Sequence, residues 1–188
     1  METSTGVTNL FLIGPPEVGK STIIQKVATF FSSIKIGGFV TEPVFRSDGR
    51  LGGYQLRSLL SNERQLFAER NLLSHSPRFF IKTVIFDTFG QSIMQASLKK
   101  ASLIIADELG TMENEAFLFQ QAIIQCLESE RIVLGVLKQK SNPFLDSIKK
   151  RSDIHLFQVN RENRNRLPAL LAAYVQPLMK RIHIDGKS

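Results

Sequence analysis

Short apolar runs alternate along most of the chain with stretches in which apolar residues recur every three or four positions. Such runs predict buried strands, and the helical spacing predicts helices that cover a sheet. The predicted buried strands are TNLFLI (8–13), SLIIAD (102–107), RIVLGVL (131–137) and DIHLFQV (153–159). The predicted helices cover 20–32, 88–100, 114–128, from Ser141 or Asn142 to about 151, and 163–180, where Pro168 and Pro177 are potential breaks. This alternation favours an α/β fold with a mostly parallel sheet and helices on both faces.

A different pattern follows the first predicted helix. GGFVTEPVF (37–45) and LGGYQLRSLL (51–60) are predicted strands, and the Asp48-Gly49 step between them is typical of a tight hairpin turn. A second strand pair is predicted around 64–68 and 79–86, with a loop over 71–78. We therefore expect an antiparallel hairpin elaboration after the first helix. No linker divides the chain, so residues 1–188 are expected to form a single domain with a core at about 8–178 and short tails.

Composition narrows the class of protein. The chain has 188 residues, of which 43% are apolar and 22% charged, as in ordinary globular proteins. Its apolar runs are too short to cross a bilayer, its N-terminus lacks a secretory signal, and its one cysteine excludes an internal disulfide, so we expect a cytoplasmic protein with no membrane partner. The net charge of +7 favours anionic partners such as nucleotides or nucleic acid. No nucleic-acid-binding motif accompanies the charge.

The segment between the first predicted strand and helix carries a chemical signal. GPPEVGKS (14–21) matches the phosphate-binding pattern G-x-x-x-x-G-K-[ST], the P-loop. Its glycines let successive N–H groups point inward at phosphates, and the following helix adds its positive end. Because the motif lies between a strand and a helix, we expect nucleotide binding. The candidate nucleotide-binding residues here are Gly14, Pro15, Pro16, Glu17, Val18, Gly19, Lys20, Ser21 and Thr22.

Individual roles follow from the side-chain chemistry. Lys20 is expected to reach the β- and γ-phosphates and to assist catalysis, and Ser21 is expected to bind Mg²⁺ through its hydroxyl. Thr22 is expected near the α-phosphate. Glu17 is unusual, because a carboxylate directed at phosphates repels them. We expect Glu17 to point to solvent, and the alternatives are weaker nucleotide affinity or a role in orienting a group.

Two acidic residues end the second buried strand. Asp107 is expected to hold Mg²⁺, and Glu108 to accept a proton from a water that attacks the γ-phosphate. Their position indicates hydrolysis in addition to binding. Glu113 follows closely, and it is either functional or an exposed glutamate ahead of a helix.

Further sequence motifs follow the P-loop along the chain. In chain order the sequence contains GPPEVGKST, GFVTEPVF with GRLGGYQL, ADELGTME, and ENRNRLP. Together, from about residue 8 to 175, they resemble the THEP-type nucleoside-triphosphatases, also called cancer-related nucleoside-triphosphatases. The resemblance implies a three-layer P-loop NTPase fold and slow, Mg²⁺-dependent hydrolysis of nucleoside triphosphates, with ATP and GTP both as substrates.

The resemblance also implies site residues. By motif, Lys20 and Ser21 are carried over as phosphate and metal residues, and Asp107 and Glu108 as the metal and catalytic acids. Asn163 and Arg164 follow the last strand, where P-loop proteins often border the base. An arginine plane stacks on any base, which suits weak base selectivity. The competing interpretation is that Asn163 caps the helix and Arg164 is solvated.

The chain departs from the family pattern at two positions. Glu17 stands where the family usually has glycine, and Pro43 where it has an acidic residue. The turn after Val44 is longer by one residue, so its arginines cannot be aligned. The candidates for a transition-state arginine are therefore Arg46, Arg50, Arg57, Arg64 and Arg78.

Two other functions compete with hydrolysis. One is a small-molecule or nucleoside kinase that transfers the γ-phosphate to an acceptor. The other is a nucleotide-gated module that binds RNA or protein, an alternative suggested by the net positive charge of the chain. The sequence favours the hydrolase, because Glu108 is suited to activate water.

Overall fold

One sheet organises the computed structural model, which describes residues 8–71 and 78–185, with side chains up to Lys180. Its strands are β1 (Asn9–Ile13), β2 (Ile36–Phe45), β3 (Leu51–Ser58), β4 (Arg64–Arg70), β5 (Phe79–Ile81), β6 (Leu103–Leu109), β7 (Ile132–Leu137) and β8 (Ile154–Gln158). In the described part of the chain they form an eight-stranded sheet of order β5-β4-β3-β2-β6-β7-β1-β8.

The helices of the described residues connect these strands, except for the last helix, which follows β8. They are α1 (Lys20–Phe30), α2 (Thr83–Ile85), α3 (Gln91–Lys100), α4 (Phe117–Leu127), α5 (Pro143–Lys149) and α6 (Leu167–Asp185), and a π-helical segment (Phe86–Gly90) joins α2 to α3. None of the described helices is long and apolar enough to span a membrane.

The parallel part of the sheet contains β2, β6, β7, β1 and β8. Phe11 of β1 lies beside Gly135 of β7, which lies beside Ala106 of β6. The carboxyl ends of β1 and β6 therefore meet at one edge of the sheet. All four buried strands predicted from apolar runs are present in this part.

The antiparallel extension begins at β2, which pairs in parallel with β6 on one side and antiparallel with β3 on the other. The predicted hairpin is confirmed, and Asp48 accepts the Arg50 N–H within its turn at 3.0 Å. Strands β4 and β5 continue the sheet, also antiparallel. Most of the predicted loop over 71–78 lies outside the described residues.

The apolar segment 79–86 is divided between two kinds of structure. We predict it as one strand, but β5 ends at Ile81 and a helix begins at Thr83. A short apolar run fits either structure, and tertiary contacts decide here. The Phe86 ring packs on Phe119 of α4, and Asp87 accepts the Phe119 N–H at 3.0 Å, which ties this segment to α4 as a helix.

Other helix boundaries differ by a few residues. Asn142, rather than Ser141, caps α5, because its side chain accepts the Leu145 N–H at 2.7 Å. Helix α6 begins at Leu167 instead of 163, and Pro168 is in its first turn, where a missing N–H costs no hydrogen bond. Pro177 lies inside α6 without ending it.

Two hydrophobic cores cover the sheet, one on each face. The first contains residues of α3, α4 and α5 with Phe11, Phe39 and Phe67 of the sheet. The second contains residues of α1 and α6 with Leu10 and Leu134. The predicted three-layer α/β arrangement is therefore confirmed.

Candidate active site

The P-loop connects β1 to α1 at the carboxyl edge of the sheet. Gly19 precedes the helix with φ 106°, a conformation that favours glycine, and its carbonyl accepts the Ile23 N–H at 3.0 Å. A Cβ on Gly14 would lie 2.6 Å from the Val159 carbonyl oxygen, so the loop starts in close contact with the end of β8. Val18 is buried and holds the loop on the core. The loop thus has the curled backbone that phosphate binding requires.

The outer part of the loop is open to solvent. Pro15, Pro16, Glu17 and Thr22 are all exposed. Glu17 is exposed as expected, and its φ of 60° places it in the left-handed region. It nonetheless lines a cleft of about 350 Å³ over the loop. The residues that line this cleft are Pro16, Glu17, Gly19, Lys20, Ser21, Thr22 and Glu108.

Lys20 is the buried cation of this cleft. Its side-chain ammonium donates to the carbonyl oxygens of Gly14 at 2.9 Å and Pro15 at 2.7 Å. Burial lowers the pKa of Lys20, while the nearby carboxylates of Glu108 and Asp107 act in the opposite direction. The ammonium is therefore held at the base of the loop by neutral carbonyl groups.

Ser21 and Asp107 join the P-loop to β6. The Ser21 hydroxyl lies 3.1 Å from Oδ1 of Asp107, a carboxylate that is only 4% exposed. Burial raises the pKa of Asp107 to about 6, against the lowering effect of the Ser21 hydrogen bond. A neighbouring cation stabilises the ionised form of a buried carboxylate of this kind.

This oxygen pair fits Mg²⁺, which binds proteins through one or two carboxylates and completes its octahedron with water and phosphate oxygens. Among the described residues, no group of three or more His, Cys, Asp or Glu side chains is arranged to hold a metal. A Mg²⁺ ion held by this pair would therefore have few protein ligands, and water or phosphate oxygens would complete its coordination.

A β-bulge sets the positions of the two acids. The β6–β7 register passes from Ala106 opposite Gly135 to Leu109 opposite Leu137, so β6 has one extra residue there. Asp107 and Glu108 occupy the bulge. Glu108 lines the same cleft as Lys20, and its Oε1 lies 3.0 Å from the ammonium of Lys138.

Lys138 is a residue that sequence reasoning missed. It directly follows β7, the strand between β6 and β1. Its position at the carboxyl end of a central parallel strand was the available signal, because ligand sites of open α/β sheets lie at that edge.

Glu113 is buried, with 3% of its surface exposed, so the interpretation of it as an exposed glutamate, one of the two left open by the sequence, is wrong. Its carboxylate accepts the Gly110 N–H and closes the loop that follows β6. Burial raises the pKa of Glu113, and the Gly110 hydrogen bond opposes this. The spacing of apolar residues along the chain does not predict a local hydrogen bond of this kind.

Asn163 and Arg164 lie in the turn before α6. The Asn163 side chain accepts the Asn160 N–H at 2.9 Å and donates to the Gln158 carbonyl at 2.8 Å, so both of its polar atoms act within the turn. Arg164 instead extends to the P-loop, where its guanidinium lies 3.5 Å from the Val18 carbonyl oxygen. Of the two residues, Arg164 is the one near the cleft.

The candidate transition-state arginines are not gathered at the cleft. Arg57 and Arg64 both pair with Glu42, at 2.5 and 3.3 Å. Arg46 pairs with Asp48 at 3.7 Å. In the described part of the chain, none of the five candidates lines the cleft over the P-loop.

A parallel α/β sheet, a P-loop and a buried aspartate bonded to the P-loop serine define a P-loop nucleotide-binding protein. Comparison with known proteins narrows this class. A family model described as NTPase matches residues 9–172. The nucleoside-triphosphatase THEP1 of Thermotoga sp. (strain RQ2) is 31% identical over 160 residues, which cover 84% of this chain and 90% of that protein.

The cancer-related nucleoside-triphosphatase of Homo sapiens is 30% identical over 190 residues, covering 92% of this chain and 98% of that protein. The crystal structure of THEP1 from Aquifex aeolicus superposes with a TM-score of 0.72 at 20% identity, over 87% of this chain and 96% of that one, and supports the fold. The chain therefore belongs to the NTPase family that contains these nucleoside-triphosphatases, and the resemblance noted from its motifs is confirmed.

Proposed function

We propose that this nucleoside-triphosphatase hydrolyses nucleoside triphosphates to diphosphate and phosphate in a Mg²⁺-dependent reaction, with Glu108 as the general base and several bases accepted. The observation that carries the proposal is the convergence of the P-loop and β6 on one cleft. The Ser21 hydroxyl is 3.1 Å from Asp107, and Glu108 lines the cleft together with Lys20.

Lys20 supplies positive charge from the base of the loop. Its two carbonyl partners, Gly14 and Pro15, are neutral, so a phosphate oxygen competes with them for the ammonium. On nucleotide binding we expect Lys20 to exchange these partners for the β- and γ-phosphates. Because the ammonium is already within the loop, little rearrangement is needed.

Ser21 and Asp107 are the residues that would hold Mg²⁺, Ser21 through its hydroxyl oxygen and Asp107 through its carboxylate or a bound water. The ion, when bound, neutralises charge on the β- and γ-phosphate oxygens. Asp107 holds Ser21 in place from β6, so the P-loop and the acidic strand end are aligned before nucleotide arrives.

Glu108 is the group suited to activate water. The water oxygen attacks the γ-phosphorus, its proton passes to the Glu108 carboxylate, and the bond from phosphorus to the β–γ bridging oxygen breaks, which leaves that oxygen on the diphosphate. A positioned carboxylate contributes roughly 10²- to 10⁴-fold through such proton transfer. Glu108 is partly exposed, so water has access to it.

Broad base tolerance is supported by the turn before α6. The amide of Asn163 is engaged with backbone groups and does not offer its edge to a base. Arg164 lies beside the P-loop, and a guanidinium plane stacks on purines and pyrimidines alike. The family membership favours hydrolysis over the kinase and gated-module alternatives.

The test is phosphate release from ATP, GTP, CTP and UTP, with Mg²⁺ or with EDTA, by wild type, Glu108→Gln and the control Glu115→Gln. Glu115 is an exposed glutamate outside the cleft. We expect Mg²⁺-dependent release from all four nucleotides, a fall of about 100-fold or more in Glu108→Gln with nucleotide binding retained, and no change in Glu115→Gln. Nucleotide binding without release by wild type, or full activity in Glu108→Gln, would contradict the proposal.

A further inference from the structure

Lys138 forms the ion pair with Glu108. Its Nζ lies 3.0 Å from Oε1 of Glu108, and both side chains are about a third exposed, at 34% and 28%. Exposed ion pairs contribute little to stability, so folding alone is a weak reason for this pair. Its position at the carboxyl edge of the sheet, on the residue proposed as the base, indicates a role in the reaction.

The backbone holds Lys138 firmly in this position. Its N–H donates to the Leu109 carbonyl at 2.9 Å, which fixes the end of β7 to the residue that follows Glu108. Its aliphatic stem crosses Gly110, because a Cβ on Gly110 would lie 2.7 Å from Cδ of Lys138 and 3.3 Å from Cε. The absence of a side chain at Gly110 leaves the path along which the stem reaches Glu108.

The Glu108 side chain borders two separate spaces in the protein. It lines the cleft over the P-loop, and it also lines a second cavity of about 110 Å³, together with Tyr54, Glu113 and Lys138. Such a cavity holds roughly three or four waters at about 30 Å³ each. Lys138 lines the cavity but not the cleft, so its ammonium engages one carboxylate oxygen from the cavity side and leaves the other for a water.

We propose that Lys138 is a positioning residue that holds the Glu108 carboxylate in the orientation needed to bind the attacking water. This inference rests on the proposed role of Glu108 as the general base. A glutamate has several rotatable bonds, and a base acts only when it lies within hydrogen-bond reach of the proton it takes. The ammonium restricts those rotations by occupying Oε1. Asp107, on the same bulge, is held instead by Ser21.

The same pair explains how one acidic bulge serves two tasks. Asp107 is turned into the protein and is bonded by a neutral hydroxyl, whereas Glu108 is turned outward and is bonded by a cation. Among the ion pairs of the described residues, Glu108 pairs with Lys138 and with none of the five candidate arginines. Lys138 supplies that partner from the neighbouring strand.

The experiment compares steady-state hydrolysis in Lys138→Met, Lys138→Arg and the control Lys140→Met, each with and without Glu108→Gln. Lys140 is an exposed lysine two positions further along the same loop. Because a misplaced catalytic group costs on the order of 10- to 100-fold, we expect kcat of Lys138→Met to fall by that factor while KM changes by less than about 3-fold. Lys138→Arg restores an ion pair and recovers most of the rate, and Lys140→Met behaves as wild type.

The variants made in the Glu108→Gln background measure how far the effect of Lys138 on the rate depends on the Glu108 carboxylate. With the carboxylate replaced, the ammonium has no base to orient, so Lys138→Met should change the residual rate by less than about 2-fold. Single-turnover assays with labelled γ-phosphate make this residual rate measurable. Melting temperature and the dissociation constant for MgADP, measured for each variant, separate positioning from misfolding or lost nucleotide binding.

Several outcomes would overturn the inference. These are an unchanged or faster kcat in Lys138→Met, no recovery in Lys138→Arg, or an equal loss in both backgrounds. A fall in MgADP affinity that accounts for the whole loss would also overturn it. Full activity in Glu108→Gln would instead remove the proposed base itself, so the two failures are distinguishable.

Discussion

Glu17 is a carboxylate on the rim of a cleft that is proposed to hold phosphates. Its side chain is exposed and its φ of 60° is a conformation that glycine adopts without cost. Replacing Glu17 by Gln removes the negative charge but keeps a non-glycine residue in the strained left-handed conformation. Replacing it by Gly removes both the charge and the strain. The two variants therefore separate electrostatic repulsion from backbone strain.

The expected electrostatic effect follows from Coulomb's law. For an assumed separation of about 8 Å between the carboxylate and a phosphate, and a dielectric constant of about 80, each pair of unit charges costs about 0.5 kcal/mol. A Mg²⁺-bound triphosphate carries about two net negative charges, so Glu17→Gln should bind nucleotide roughly 5-fold more tightly. Glu17→Gly should gain the same factor and also about 1 kcal/mol of stability from relief of the left-handed conformation.

The assay is the dissociation constant of a non-hydrolysable triphosphate with Mg²⁺, measured at about 0.05 M and about 0.5 M salt, with Glu115→Gln as the control. Screening by salt should reduce the gain in both Glu17 variants, because the charges are exposed. Thermal melting then measures the stability gained by relieving the backbone strain at position 17, and the melting temperature should rise in Glu17→Gly alone. Affinity that is unchanged in Glu17→Gln, or a gain that does not depend on salt, would refute the Coulomb reasoning.

Two further predictions concern stability. Gly38 has φ 95°, and a Cβ there would lie 1.8 Å from the Ile105 carbonyl oxygen, so Gly38→Ala should lose more than about 3 kcal/mol in denaturant unfolding. Gly49→Ala, with φ 77° and no atom within 4 Å, is its control and should lose only about 1 kcal/mol, so equal losses would contradict the steric argument. Burial raises the pKa of Glu113 above its ordinary value of 4.5, so the folded state binds this proton more tightly than the unfolded state does, and the stability that it contributes is lost as the pH rises above 4.5. The melting temperature of Glu113→Gln relative to wild type should therefore rise as the pH increases above 4.5, and a pH-independent difference would refute this.

Much of the fold was predictable because its signals are local. The parallel strands are continuous apolar runs, and the Asp48-Gly49 turn is encoded in adjacent residues. The P-loop has its own spacing, and the acids at the end of β6 follow directly from a buried strand. The predictions were weakest at 79–86, where an apolar run suits both strand and helix, and where packing of Phe86 against Phe119 selects the helix.

The sequence by itself determined the α/β class, the P-loop and the candidate acids, because each depends on residues that are neighbours in the chain. Tertiary structure alone decided which distant groups meet. The Ser21–Asp107 bond joins residues 86 positions apart, Arg164 reaches the P-loop from a turn 146 positions away from Val18, and Lys138 meets Glu108 from the neighbouring strand. Such contacts depend on strand order and on the β6 bulge, and neither leaves a periodic signal in the sequence. The burial of Glu113 was likewise not predictable, although its carboxylate accepts the N–H of nearby Gly110, because burial depends on how the loop after β6 packs in the folded protein.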